Sequence, residues 1–229
     1  MESSTPDPTA RLVSLSDGVF GFALTLLVFP FETPTKFAQV LDFIRLGLAY
    51  ALGAALIALI WWEHNRFFKL YRDVDAGLVA LNVALLFCLL LFVYPLKFLA
   101  VFLETWFLGL SNQGLLGDAD VPALMLVYGL SFAALNLLLY ALHRYARWRF
   151  GLPFSPSGRI EARTAARTAL ILGSVALLSV AVVGLALLIR PNALVGWMVA
   201  AGLVYNLYLP LFLWSYSRQA RELQKLATF

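Results

Sequence analysis

Six runs of about 20 mostly apolar residues dominate this chain, and their length leaves few folds open: Leu12 to Phe31, Ile44 to Trp62, Ala76 to Leu96, Val121 to Leu142, Thr168 to Ile189, and Ala193 to Ser215. An α-helix rises about 1.5 Å per residue, so each run matches the roughly 30 Å hydrocarbon thickness of a bilayer. In lipid every backbone N–H and C=O must be bonded within the structure, and these runs exceed the reach of buried strands, so helices are expected. The runs take up more than half of the 229 residues, and 62% of the chain is hydrophobic against 13% charged, which excludes an ordinary soluble domain. The expected fold is an all-α membrane protein, a single domain over residues 1–229 with six transmembrane helices.

The basic residues sort by side. Arg11, the 2–3 connection (Arg66, Lys69, Arg72), the 4–5 connection (Arg144, Arg147, Arg149, Arg159, Arg163, Arg167) and the tail (Arg218, Arg221, Lys225) give 13 on one face, against Lys36, Arg45, Lys97 and Arg190 on the other. Basic residues accumulate on the cytoplasmic side, so both termini are expected there. The first run is expected to stay in the chain, because no basic stretch precedes it and no small-residue cleavage site follows. Lys97 to Asp120 is the longest external connection and reads as an interfacial aromatic segment followed by a turn. Acidic Glu32, Asp42, Glu104, Asp118 and Asp120 fall on this outer side, where solvation or cation attraction could explain them.

Polar groups inside spans are costly and are therefore candidates for function. Asp17, Ser14, Ser16 and Thr25 lie in the first run, His64 just past the second, Asn82 in the third and Asn136 in the fourth. An enzyme or metal site finds little support. Cys88 stands alone among apolar residues, His64 and His143 lack metal-ligand spacing, and no Gly-x-Ser-x-Gly turn occurs. A carbonyl filter is missing too, since the nearest string, Val127-Tyr128-Gly129-Leu130, lies inside an apolar run. Arg159, Arg163 and Arg167 share one helical face but precede their span, as a snorkelling cytoplasmic face does.

The first helix separates its side chains by face. At about 100° per residue, Phe22, Leu26 and Phe29 fall within about 60° of one another with Thr25 beside them, while Ser16 and Asp17 point away. Ser16 and Asp17 could then bond backward to neighbouring helices, leaving the Phe22, Leu26, Phe29 row to face something else. Periodicity alone favours reading that row as ordinary lipid-facing or helix-packing surface.

The segment Arg11-Leu12-Val13-Ser14-Leu15-Ser16-Asp17-Gly18 resembles the Arg-x-x-x-Phe-Ser-Asp signature of the transmembrane protein 175 family, with Leu15 in place of the phenylalanine. Ala23-Leu24-Thr25-Leu26-Leu27-Val28, Trp61-x-x-His64, Leu81-Asn82 and Tyr94-Pro95 extend the likeness over residues 11 to 95. The resemblance implies a potassium-permeable cation leak channel of single-repeat bacterial type, a homotetramer in the bacterial plasma membrane. The first helix would line its central pore, with a hydrophobic constriction of Phe22, Leu26 and Phe29 instead of a carbonyl filter. Phe22 is bulkier than the isoleucine or leucine usual there. Thr25 matches a hydroxyl position tied to potassium preference, and Arg11, Ser16, Asp17, Trp61, His64 and Asn82 would form the polar network that holds the pore helix. K+ is the implied permeant ion, lipid and monovalent cations are the partners, and no cofactor, metal or nucleic acid is expected.

Two other readings remain from the residues. A proton-linked secondary transporter could titrate Asp17 and His64 as a pair, though no inverted repeat or broken helix accompanies them. A membrane scaffold would use the first-helix row for packing alone.

Overall fold

The fold was analysed in a computed structural model that describes residues 7–29, 35–45, 47–108, 121–153, 155–189 and 208–227. These residues form seven helices: α1 (Pro8–Val28), α2 (Phe37–Arg45), α3 (Gly47–Leu70), α4 (Ala76–Leu108), α5 (Val121–Arg149), α6 (Pro156–Ile189) and α7 (Tyr208–Ala227). Among the described residues four helices, α1, α4, α5 and α6, are long and apolar enough to cross a membrane. The sixth apolar run meets α7 only from residue 208 onward, and its residues 193–207 lie outside the described ones, as do Glu32, Asp118 and Asp120. Of Asp42 and Glu104 only the helical backbone is described.

Helix ends follow local chemistry. Asp7 caps α1 by accepting the Thr9 N–H at 3.0 Å, and Pro8 sits in the first turn, where its missing N–H costs nothing. Phe29 then leaves the helix with extended backbone, as the residue before a proline prefers. α5 closes on Gly151, whose φ of 89° is a conformation glycine adopts without a Cβ clash. Ser155 opens α6 by accepting the Gly158 N–H at 3.0 Å. The helices outrun the apolar runs: α5 extends to Arg149, and α6 begins at Pro156, so Arg159, Arg163 and Arg167 are helical. α4 continues through Pro95 to Leu108, so the aromatic part of the Lys97 to Asp120 connection is helical and continuous with the third apolar run, while residues 109–120 lie outside the described ones.

α5 packs along α6 and against α4, α1 lies across α3 and α4, and α7 rests on α6. The core draws on Phe20, Ala23 and Leu27 of α1, Ile57 and Phe67 of α3, Leu85, Leu89 and Phe92 of α4, and Leu135 and Leu142 of α5. α6 contributes Ala162, Ala165, Ala169 and Ala176, small residues that let helix backbones approach closely where lipid offers no hydrophobic drive.

The turn before α4 is tied down by one carboxylate. Asp75 accepts the Leu78 N–H at 2.9 Å, the Tyr145 hydroxyl at 2.9 Å and Arg149 Nε at 3.1 Å. The Leu78 bond, then those from Tyr145 and Arg149, hold its carboxyl below the usual carboxylate range. Its contribution to stability is therefore full above that range and lost as pH falls through the lowered value. Gly77 makes room for this arrangement, because a Cβ there would overlap the Tyr145 hydroxyl and ring. Gly77→Ala is expected to displace Tyr145 and destabilise the protein by about 1 kcal/mol, the lost bonding outweighing the gain in helix propensity. A thermal melt in detergent checks this, and a variant at least as stable as the parent would contradict it.

Candidate functional site

α1 presents two unlike faces. Leu12, Ser16, Phe20, Ala23 and Leu27 recur at three- and four-residue spacing and are buried against α3 and α4. Phe22 is 55% exposed and Phe29 67%, Thr25 is exposed beside them, and Leu26 is half-buried at the edge of the core. Among the described residues Phe22 and Phe29 of the row singled out by periodicity are thus open on their own chain, while Leu26 packs against the core.

On the buried face a polar chain crosses three helices. Ser16 donates to the Leu12 carbonyl at 2.9 Å and accepts from Asn82 Nδ2 at 3.0 Å, while Asn82 Oδ1 lies 2.7 Å from His64 Nε2. Since Oδ1 can only accept, Nε2 carries the proton in this bond. Phe20 and Phe68 flank the imidazole with ring centroids 5.3 and 5.0 Å away, and His64 is only 1% exposed. Without its amide partner this ring would hold an unsatisfied polar atom in an apolar cage.

Asp17 takes a different position. It lies on the flank of α1, exposed, and accepts the Trp61 indole N–H at 2.8 Å. The structure therefore brings together Ser16, His64 and Asn82 as one group and Asp17 and Trp61 as another. Arg11 is exposed, and among the described residues its side chain joins neither. Thr25 donates its proton to the Gly21 carbonyl at 3.0 Å, so its exposed side offers oxygen lone pairs.

Two contacts were not singled out from sequence. Buried Lys97 of α4 donates from Nζ to the Phe29 carbonyl at the C-terminal end of α1, and its ammonium lies 5.9 Å from the centroid of the Tyr50 ring. Its signal was a lysine two residues after Pro95 at the end of an apolar run, a place read only for topology. At the opposite end of the bundle Arg66 donates to Tyr216 at 2.8 Å and to Gln219 at 3.1 Å, and Tyr216 donates to Glu63, so α3 and α7 are clamped together.

These contacts define an all-helical membrane protein whose N-terminal helix is tethered along one face and open along the other. Residues 11–93 match the family described as endosomal/lysosomal potassium channel TMEM175. A potassium channel of Marivirga tractuosa is 32% identical over 212 residues, covering 89% of this chain and 84% of the relative. A potassium channel of Streptomyces collinus is 28% identical, covering 72% of this chain and 77% of its own. Among solved structures, the potassium channel MtTMEM175 in its T38A variant, complexed with a nanobody fusion protein, is similar at a TM-score of 0.76 and 28% identity, covering 96% of this chain and 99% of that one. The TMEM175 homologue of Chamaesiphon minutus shares the fold at a TM-score of 0.60 and 21% identity, covering 93% and 99%. The chain belongs to the TMEM175 family.

Proposed function

We propose that four copies of this chain assemble around a central axis into a potassium-permeable cation leak channel of the bacterial plasma membrane, with six crossings per chain and both termini cytoplasmic. α1 lines the pore, Phe22, Leu26 and Phe29 form its apolar constriction, and K+ passes without a cofactor. The observation that carries this reading is the split of α1: a face bonded into its own chain through Ser16, and an opposite face left open that bears Phe22, Thr25 and Phe29. One such helix cannot enclose a path, and closed symmetry supplies the remaining walls. A ring of apolar side chains blocks ions by dewetting when narrow and passes partly hydrated cations when widened. The Thr25 oxygen, its proton spent on Gly21, offers a cation its lone pairs. Selectivity for potassium over sodium is expected to be modest, because no carbonyl cage replaces the hydration shell.

The carrier alternative needs Asp17 and His64 to exchange a proton, yet each is committed to a different partner, Trp61 and Asn82. Planar-bilayer recording with native mass measurement tests the proposal. A four-chain mass with steady potassium current and weak sodium exclusion is expected; another stoichiometry, or solute flux that requires a proton gradient, would refute it.

Asp17→Ala separates holding the helix from conducting ions. The Trp61 indole loses its acceptor, so the yield of assembled complex should fall while the reversal potential of the surviving channels stays unchanged. Intact tetramers with an altered reversal potential would place Asp17 in the ion path instead.

A further inference from the structure

Where α5 and α6 reach the end of the bundle rich in arginine, a cleft of about 300 Å³ is lined by Arg144, Arg147 and Arg163 together with Tyr71, Tyr140 and His143. Among the described residues no carboxylate pairs with these three arginines, although Arg66, Arg149 and Arg218 nearby all have acidic partners. His143 is 4% exposed, and among the described residues its buried Nδ1 has no hydrogen-bond partner. On the other side of His143, among α3, α5, α6 and α7, lies a larger, mostly apolar cavity of about 490 Å³, lined by Leu56, Ile60, Leu139 and Leu172 among others. Charge and polar hydrogen-bonding groups therefore give way to hydrocarbon in the order that the two ends of a phospholipid present.

We propose that this cleft binds the phosphate of an anionic membrane lipid, with Arg144, Arg147 and Arg163 as its charged ligands and the tyrosine hydroxyls as neutral donors. Guanidinium groups bond phosphate oxygens in paired, charge-assisted fashion, and basic pockets between membrane helices suit such headgroups. The neighbouring apolar surface then accounts for an occupant that carries an acyl chain.

Native mass spectrometry and thermal melting of the purified complex with phosphatidylglycerol, phosphatidylcholine and inorganic phosphate test the site. Phosphatidylglycerol is expected to be retained and to raise the melting midpoint, while phosphatidylcholine does neither. Arg144→Gln, Arg147→Gln and Arg163→Gln should each weaken its retention about fivefold, the factor that corresponds to one basic residue at a lipid surface. Arg221→Gln removes the same charge outside the cleft and should leave retention unchanged; all four side chains are exposed, so folding is expected to survive. Equal retention of both lipids, or equal loss in Arg221→Gln, overturns the proposal. Protection by inorganic phosphate alone, matching that of the lipid, assigns the cleft to a soluble anion and overturns it as well.

Discussion

Asn82→Leu loosens the first helix from the rest of the chain and lowers the melting midpoint of the complex by about 2–8 °C. The side chain it removes joins α1 to α3 through α4, donating to Ser16 and accepting from His64. Ser16 keeps its bond to the Leu12 carbonyl, but the His64 N–H is stranded between two phenylalanine rings. A buried donor left without an acceptor costs about 1–3 kcal/mol, and interhelical bonds in membranes fall at the lower end of that range, so about 1–2 kcal/mol is expected here. The loss should be accompanied by dissociation of the assembly, because the open face of α1 is presented at the right angle only while the opposite face is held. A melt indistinguishable from that of the parent would mean that the polar chain contributes nothing to holding α1.

Phe22→Ala gives a severalfold larger potassium current. On its own chain the Phe22 side chain is more than half exposed, so its removal empties no core and folding should be unaffected. Four phenylalanines around one axis narrow a pore further than smaller aliphatic residues, and truncation both widens that ring and admits water. Leu185→Ala on α6 is the control, since Leu185 is similarly exposed but lies far along the sequence on a helix with no part in the proposed path. Intact tetramers of Phe22→Ala with unchanged or abolished current would remove Phe22 from the constriction.

Much of this arrangement can be read from the residues. Ser16, His64 and Asn82 are legible because polar groups within apolar runs must find one another, and the structure places them in a continuous hydrogen-bonded chain. A period of 3.6 residues groups Phe22, Leu26 and Phe29 on one side of α1, but that Phe22 and Phe29 are open is legible only from how α1 packs. Helix lengths are less legible, because an apolar run measures the depth of hydrocarbon and not where backbone bonding stops. The arginine-rich ends of α5 and α6 therefore continue as helix beyond the runs that announced them. The Lys97 tether escapes sequence reasoning for another reason: its acceptor is a backbone carbonyl 68 positions away, and a carbonyl has no letter of its own. Arg66 and Tyr216 meet across 150 positions, a proximity that only the packing of α3 and α7 reveals.

Two attachments of α1 to α4 bear on how a passage beside it would open. Asn82 grips it at Ser16, and Lys97 grips it at the Phe29 carbonyl, so both heights of one rod are fastened to α4. Turning that rod about its long axis would strain both fastenings together, whereas swinging a whole subunit outward strains neither. In the tetramer proposed above, dilation by a sliding of intact subunits past one another would leave both fastenings whole, and its resistance would reside at the seams between chains.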